Sequence, residues 1–137
     1  MNIQLAVIEG ANILKDKYIQ TAQLDAEILM AKVLGANRKY IILNNDKNLK
    51  GKDLDYFKRL IQERATRKPI AYLLNKKFFW NNEFFVNKGT LIPRPDTEVV
   101  IEQILKLTKQ KNKINILDIG VGSGCILLTI LKERKNF

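Results

Sequence analysis

The segment LDIGVGSGCI, residues 117–126, decides the predicted fold of the second half of this chain. An apolar run ends in an acid, glycines then occupy every second position, and another apolar run follows. A strand that enters a glycine-rich turn and continues as a helix brings backbone N–H groups and the positive end of a helix together. We therefore predict a buried β-strand over residues 114–120, a turn that holds a nucleotide-like ligand, and a helix over residues 125–134. The alternative is a glycine turn with a structural role only.

The spacing of the glycines separates three kinds of ligand-binding loop. A phosphate-binding P-loop continues with Lys and then Ser or Thr after its last glycine, whereas Cys125 follows Gly124 here. A dinucleotide-binding fingerprint would place its third glycine at position 125. The observed Gly-x-Gly-x-Gly pattern, preceded by Asp118, resembles the first motif of class I methyltransferases that use S-adenosylmethionine.

A second motif makes the resemblance more specific. LIPRPDTE, residues 91–98, lies upstream of the predicted strand and accompanies PIAYLL at residues 69–74 and FFVNKGT at residues 84–90. These segments closely resemble the HemK-type family, whose members methylate a glutamine side chain of peptide chain release factors. The order of segments also resembles that family, which has a helical domain, a hairpin linker and then a catalytic domain. A linker stiffened by proline is the alternative for residues 91–98.

The resemblance implies a cofactor site and a protein partner. The cofactor would be S-adenosylmethionine, which has no pyrophosphate, so the loop would pack against its methionine and ribose portion. Asp118 would order the loop or reach the amino group of the cofactor. The loop formed by Pro93, Arg94 and Pro95 would lie over the active site, and the partner would be a release factor. The implied cofactor-binding residues are Asp118, Gly120, Val121, Gly122, Ser123 and Gly124.

The resemblance covers only the front part of a family member. The Asn-Pro-Pro-Tyr motif that holds the substrate amide in the family is absent, because Pro69, Pro93 and Pro95 all precede the glycine loop. Only the first strand of the family's sheet is found, and no catalytic residue is assigned. We expect the chain to be a truncated form that is inactive by itself and binds the cofactor weakly or not at all. We also expect residues 111–137 to be poorly held.

The predicted fold class combines three regions. Residues 1–74 predict a small all-α helical bundle. The resemblance implies that this bundle binds the substrate or partner. Residues 75–90 predict a β-hairpin linker. Residues 91–137 predict the incomplete start of an α/β, Rossmann-like class I methyltransferase domain.

Local signals place the ends of several predicted elements. Thr21 and Asp53 are predicted to cap the second and fourth helices at their N-termini. Gly35 is predicted to end the second helix in a left-handed conformation. The turn of the hairpin is predicted at Asn81-Asn82, because Asn tolerates positive φ.

The composition excludes several classes of function. The chain has no histidine, which is the commonest metal ligand and general base, so we expect neither a metal site nor a Ser-His-Asp triad. The single Cys125 excludes an internal disulfide and fits a reducing cytosol. We recognise no export signal, and the apolar runs fall short of the ~20 residues that span a bilayer. We therefore expect a cytoplasmic protein without membrane contact.

The net charge of +10 has two interpretations. It predicts either a basic surface for nucleic acid or only a lysine-rich composition. Eighteen of the 24 basic residues are lysines and they are scattered, so we expect RNA contact only indirectly. Two alternatives to the methyltransferase hypothesis stay open. The first is a helical module that docks on a release factor, and the second is a fragment of another protein or RNA methyltransferase.

Overall fold

The computed structural model of the protein describes residues 1–111 and 113–134 and divides into two compact units. The first unit is Met1–Leu74, and the second begins at Asn75. The first unit is helical, whereas the second combines a β-hairpin with two longer helices. No helix in the described ranges is long and apolar enough to cross a membrane.

Five helices with short connections form the first unit, which confirms the predicted helical bundle. They are α1 (Ile3–Asp16), α2 (Ala22–Val33), α3 (Arg38–Leu43), α4 (Gly51–Ala65) and α5 (Ile70–Leu74). In α1 the buried positions recur three or four residues apart, so one face of the helix is apolar and turns inward. The core of the unit consists of Ile3, Ala6, Val7, Ala11, Leu14, Ile19, Ala22, Ala26, Leu29, Met30, Ala31, Ile41, Phe57, Leu60, Ile61 and Leu73.

Gly10 allows α1 and α4 to approach each other closely. A Cβ atom at this position would lie 2.9 Å from Phe57 Cζ and 3.0 Å from Ile61 Cδ1. Both side chains are almost completely buried, at 2% and 1% exposure, so neither can swing aside into solvent. The close contact between these two helices therefore depends on the absence of a side chain at this position.

Asparagine side chains cap two helices of the first unit. Asn2 Oδ1 accepts the Leu5 N–H at 2.9 Å at the start of α1, and Asn37 Oδ1 accepts the Tyr40 N–H at 2.8 Å at the start of α3. Each cap residue has an extended backbone, which aims its side chain at the free amides of the first turn.

The cap predicted at Thr21 is confirmed in position only, and the cap predicted at Asp53 is wrong. Thr21 occupies the N-cap position of α2 but makes no side-chain hydrogen bond, because its ψ of 21° departs from the extended backbone that a cap needs. Asp53 lies inside the first turn of α4, since that helix already begins at Gly51 after the cap residue Lys50.

Gly35 ends α2 as predicted. Its φ is +59°, and its N–H donates to the Lys32 carbonyl at 3.2 Å. The next amide, that of Ala36, donates to the Ala31 carbonyl at 2.9 Å. This pair of bonds is a Schellman motif, which satisfies the last carbonyls of the helix.

Two ion pairs connect α2 to neighbouring helices. In the first, Arg64 Nε of α4 lies 2.7 Å from Asp25 Oδ2, and the two side chains are only 15% and 5% exposed. Arg64 also donates through Nη1 to the Lys68 carbonyl at 3.1 Å. In the second pair, Arg38 Nε of α3 lies 2.5 Å from Glu27 Oε2, and the Arg38 side chain is 51% exposed. The first pair is thus buried on both sides, whereas the second joins the Glu27 side chain, which is 12% exposed, to an exposed arginine.

The environment of Glu27, including its pair with Arg38, shifts the titration of this carboxyl. Burial raises the pKa of this carboxyl, but hydrogen bonds from Gln23 and Arg38 and the positive charge of Arg38 outweigh burial. The pKa of Glu27 is therefore held below its ordinary value.

The second unit starts with a tight antiparallel hairpin of β1 (Lys76–Phe79) and β2 (Asn82–Phe85), which confirms the predicted hairpin. Trp80 and Asn81 form its two-residue loop, with φ of 48° and 60°. Positive φ at both positions is what a type I′ turn requires. The turn predicted at Asn81-Asn82 is therefore wrong by one residue, because Asn82 already belongs to β2.

One face of the hairpin packs against two helices, α6 (Glu98–Thr108) and α7 (Cys125–Glu133). A short 3₁₀ turn, Pro95–Thr97, leads into α6. The buried residues of this second core are Phe79, Phe84, Ile101, Cys125 and Ile130. The hairpin therefore shares one core with the helices that follow it.

The strand predicted over residues 114–120 is not formed. Residues 113–118 have no regular secondary structure, and Leu117 and Ile119 are 83% and 87% exposed. A strand needs a neighbour that completes its ladder of hydrogen bonds, and within the described chain β1 and β2 pair only with each other. The parallel sheet of the expected Rossmann-like fold is therefore not formed by the described residues.

The helix predicted after the glycine turn is formed and contributes to the second core. The predicted helix is confirmed as α7, and its Ile130 is fully buried. Residue 112 and residues 135–137, which the expectation of a poorly held segment also covered, lie outside the described residues.

Candidate functional site

The glycine turn between residues 119 and 125 has a backbone that favours glycine at alternate positions. Gly120, Gly122 and Gly124 have φ of +83°, +55° and +76°. The Gly124 N–H donates to the Val121 carbonyl at 2.8 Å, and the Gly124 carbonyl accepts the Leu128 N–H at 2.9 Å as α7 begins. The turn therefore closes on itself and passes directly into a helix.

The space around the turn differs from one glycine to the next. A Cβ atom at Gly120 would meet no atom within 4 Å, whereas one at Gly124 would lie 3.0 Å from Leu128 Cδ1. Val121 is 49% exposed. The early part of the turn thus presents open backbone next to the N-terminus of α7, where the first helical amides lack intrahelical acceptors.

Two side-chain oxygens beside these glycines are buried without a hydrogen-bond partner among the described residues. They are Asp118 Oδ2 and Ser123 Oγ. Buried polar groups ordinarily have a partner, and leaving one unpaired costs about 1–3 kcal/mol. A polar ligand at the turn could satisfy both oxygens. A third such oxygen, Thr129 Oγ1, belongs to a fully buried residue one turn into α7.

The loop of Pro93, Arg94 and Pro95 lies immediately before α6. Pro93 is buried, whereas Arg94 and Pro95 are exposed. Arg94 has an extended backbone, with φ of −101° and ψ of 146°, which a following proline favours. Its carbonyl accepts the Thr97 N–H at 3.1 Å, while its guanidinium makes no ion pair within the described ranges.

Two packed helices connect this loop to the glycine turn. The proline loop leads into α6 and the glycine turn leads into α7, and both helices contribute to the second core. Arg134, which follows α7, donates to Thr108 Oγ1 of α6 at 2.8 Å. The structure thus joins the two motifs through the helices that they precede.

Sequence reasoning missed the contacts of Trp80. The Trp80 backbone N–H donates to Glu98 Oε1 at 2.9 Å, and its indole Nε1–H donates to Glu133 Oε1 at 2.9 Å. Glu98 is the last residue of the LIPRPDTE motif, so the motif itself was the signal that pointed to it. Nothing in the spacing of the sequence indicated the hairpin as its partner.

The described part of the chain holds no group of three or more His, Cys, Asp or Glu side chains that could bind a metal ion. Cys125, the first residue of α7, is a free and buried thiol.

Comparisons with known proteins match both the helical unit and most of the remaining chain. A family model described as the PrmC N-terminal domain matches residues 6–74. A release factor glutamine methyltransferase of Clostridium botulinum is 40% identical over 124 residues, which is 90% of this chain and 44% of the relative. That of Leptospira interrogans is 40% identical over 125 residues, with the same two shares. That of Buchnera aphidicola is 40% identical over 127 residues, which is 93% of this chain and 46% of the relative.

The chain therefore spans less than half the length of the curated relatives that it matches. The family model nevertheless covers half of the chain, and the relatives align with about nine-tenths of it. The chain therefore belongs to the PrmC N-terminal domain family, and the relatives that it resembles over nine-tenths of its length are release factor glutamine methyltransferases.

Proposed function

We propose that this chain supplies the partner-binding domain and the first part of the cofactor site of a release factor glutamine methyltransferase. The observation that carries the proposal is the glycine turn, with three positive φ angles, at the start of α7 in a chain with such relatives. A turn of this kind exposes backbone amides to a ligand at a helix N-terminus. The activity itself is transfer of a methyl group to a glutamine side chain of a release factor.

Each of the three predicted regions would have its own role in methyl transfer. Residues 1–74 dock on the release factor, residues 75–90 form the hairpin linker, and residues 91–137 begin the methyltransferase domain. Pro93, Arg94 and Pro95 would then lie over the active site, where two proline rings keep the loop stiff.

The residues of the turn fit S-adenosylmethionine. The buried Asp118 Oδ2 could accept a hydrogen bond from the amino group or a ribose hydroxyl of the cofactor. The buried Ser123 Oγ could donate or accept a hydrogen bond. The backbone amides of Gly120, Val121 and Gly122 could donate hydrogen bonds to the carboxylate or the ribose oxygens of the cofactor. Gly124 is the N-cap residue of α7. When bound, this cofactor supplies a methyl group on a positively charged sulfur.

The protein must then hold the accepting glutamine in line with that methyl group. An amide nitrogen is a poor nucleophile because its lone pair is delocalised into the carbonyl, so positioning decides the rate. The Asn-Pro-Pro-Tyr motif that holds the amide in the family is not among these residues. We therefore expect the 137 residues alone to transfer no methyl group and to bind the cofactor weakly.

Amide NMR shifts test the cofactor role even when binding is weak. The seven glycines of the chain provide the test set and its controls. On titration with S-adenosylmethionine to millimolar concentration, we expect the amide signals of Gly120, Gly122 and Gly124 to shift. The signals of Gly89 in the same unit and of Gly10 in the helical unit should stay in place.

A matched variant sharpens this titration. Asp118→Asn removes the carboxylate charge but keeps the side-chain size, and it should weaken the shifts of the glycine turn. Equal shifts at control and turn glycines, or no shift at the turn at saturating ligand, would refute the cofactor assignment.

Retention on an immobilised release factor tests the docking role. We expect the purified chain to be retained at low salt and to remain bound at moderate salt. A protein of similar positive net charge serves as the control, because the charge of +10 by itself favours salt-sensitive adsorption. Failure of the chain to be retained even at low salt would refute the docking role.

A further inference from the structure

The backbone amide of Trp80 needs an acceptor from outside its own hairpin. In a two-residue hairpin loop, the ladder bonds join the flanking residues, here Phe79 and Asn82, and leave the loop amides unpaired. Trp80 is also a bulky residue at positive φ, a conformation that L-residues other than Gly, Asn and Asp seldom adopt. Such a conformation persists only where surrounding contacts fix it.

Contacts from both helices of the second core supply that fixation. Glu98, the first residue of α6, accepts the Trp80 backbone N–H at 2.9 Å. Glu133, the last residue of α7, accepts the indole N–H at 2.9 Å. Asn82 Nδ2 donates to the Trp80 carbonyl at 2.9 Å, and Lys132 Nζ donates to Asn82 Oδ1. The tip of the hairpin is thus bound to the start of one helix and the end of the other.

We propose that Glu98 is a positioning residue that fixes the Pro93–Pro95 loop by attaching the start of α6 to the hairpin tip. The role of that loop at an active site rests on the proposed function, whereas the attachment rests on the hydrogen bonds above. The hydrogen bond from the Trp80 N–H thus gives Glu98, the last residue of the LIPRPDTE motif, a structural role.

The loop has few degrees of freedom once Glu98 is fixed. Only Asp96 and Thr97 separate Pro95 from Glu98, and both lie in the 3₁₀ turn that leads into α6. Prolines on both sides of Arg94 hold the backbone φ of positions 93 and 95 near one value. The N-cap residue Thr97 makes no side-chain capping hydrogen bond, so the start of α6 is attached through the bond between Glu98 and the hairpin. A fixed Glu98 carboxylate therefore restricts the conformations of residues 93–97, which lead into α6.

Three variants separate positioning from general stability. Glu98→Ala removes the acceptor, and Glu98→Gln keeps an amide oxygen that can accept the same N–H. Glu102→Ala is the matched control, because it removes an exposed glutamate one turn further along the same helix. All three are compared with the unaltered chain by amide hydrogen exchange and by NMR order parameters.

We expect Glu98→Ala to speed exchange of the Trp80 amide by about tenfold or more, since a charge-assisted bond is lost. The order parameters of the non-proline residues in 91–97 should fall from about 0.85 toward 0.6. Glu98→Gln and Glu102→Ala should keep both quantities close to those of the unaltered chain. Exchange in the helical unit should be the same in all four proteins.

A rigid loop in Glu98→Ala, or a Glu98→Gln protein that behaves like Glu98→Ala, would overturn the proposal. If Glu98→Ala fails to fold, Glu98→Gln decides alone: a protected Trp80 amide supports the role, and an unprotected one refutes it. No arm of the experiment contains cofactor or release factor. Failure here therefore leaves the methyltransferase proposal standing, and failure of that proposal leaves this one standing.

Discussion

Asp25→Asn should be among the most damaging single changes in the helical unit. The substitution keeps the size of the side chain and one acceptor oxygen but removes the negative charge that faces Arg64. The Arg64 side chain is only 15% exposed and would keep only neutral acceptors, the Lys68 carbonyl and the retained amide oxygen. A buried cation would then lack its counter-ion.

The expected cost follows from that burial. Removing one partner of a buried ion pair typically costs about 3–5 kcal/mol. Because Arg64 is still partly exposed and the new amide oxygen can still accept its hydrogen bond, we expect a cost near the lower end of this range, at about 3 kcal/mol. A unit of 74 residues has a free energy of unfolding of roughly 4–11 kcal/mol, so the variant loses a large share of it.

Urea titration measures this loss. With a denaturant slope of about 1–1.5 kcal/mol/M for a unit of this size, the midpoint should fall by about 2–3 M. Far-ultraviolet circular dichroism follows the helices, and tyrosine emission reports on the helical unit, because all four tyrosines belong to it. They are Tyr18, Tyr40, Tyr56 and Tyr72.

Glu27→Gln is the matched control. It removes a carboxylate charge from the same helix, but its partner Arg38 is 51% exposed, so the cost should stay below about 1 kcal/mol. If Asp25→Asn and Glu27→Gln lower the midpoint equally, burial of the Asp25–Arg64 pair does not set its contribution to stability.

Two glycine substitutions and the pH dependence of stability test other features of the helical unit. Gly10→Ala gains helix propensity of about 1 kcal/mol, but its Cβ would overlap the buried ring of Phe57, so we expect a net loss of about 1 kcal/mol in urea titration. Gly35→Ala should cost about 1 kcal/mol because of its φ of +59°, whereas Gly51→Ala, at an equally open site without positive φ, should be neutral or stabilising. The lowered pKa of Glu27 means that its stabilisation is present at neutral pH and lost as pH falls through that pKa, since the unfolded chain takes up the proton first. The stability difference between the unaltered chain and Glu27→Gln should therefore vanish in acid, and a difference that grows in acid would contradict this sign.

The features that follow local rules could be predicted from the sequence. Apolar residues at helical spacing gave the bundle, and Gly35 gave the left-handed end of α2. The hairpin followed from two aromatic runs around a polar pair, although its loop starts at Trp80, a residue that favours strands. Tertiary contacts with Glu98 and Glu133 hold that residue in the turn, and such contacts cannot be predicted from spacing.

The features that depend on distant parts of a chain could not be predicted in this way. Residues 114–120 have the composition of a buried strand, but a strand forms only beside a neighbour, and Leu117 faces solvent. At the candidate site the glycine pattern predicted the turn and the helix after it. The unpaired buried oxygens of Asp118 and Ser123 are properties of the folded backbone, which no residue pattern shows.

The division of the chain at Leu74 bears on how it folds during synthesis. The buried residues of the first core all belong to the first 74 residues, and small helical bundles fold in microseconds to milliseconds. Translation at about 5–20 residues per second needs roughly 3–13 s for the sixty-three residues that follow Leu74. The ribosome therefore releases the exposed apolar side chains of Leu117 and Ile119 from a nascent chain whose N-terminal half is already native, and chaperones would have only the later segment to protect.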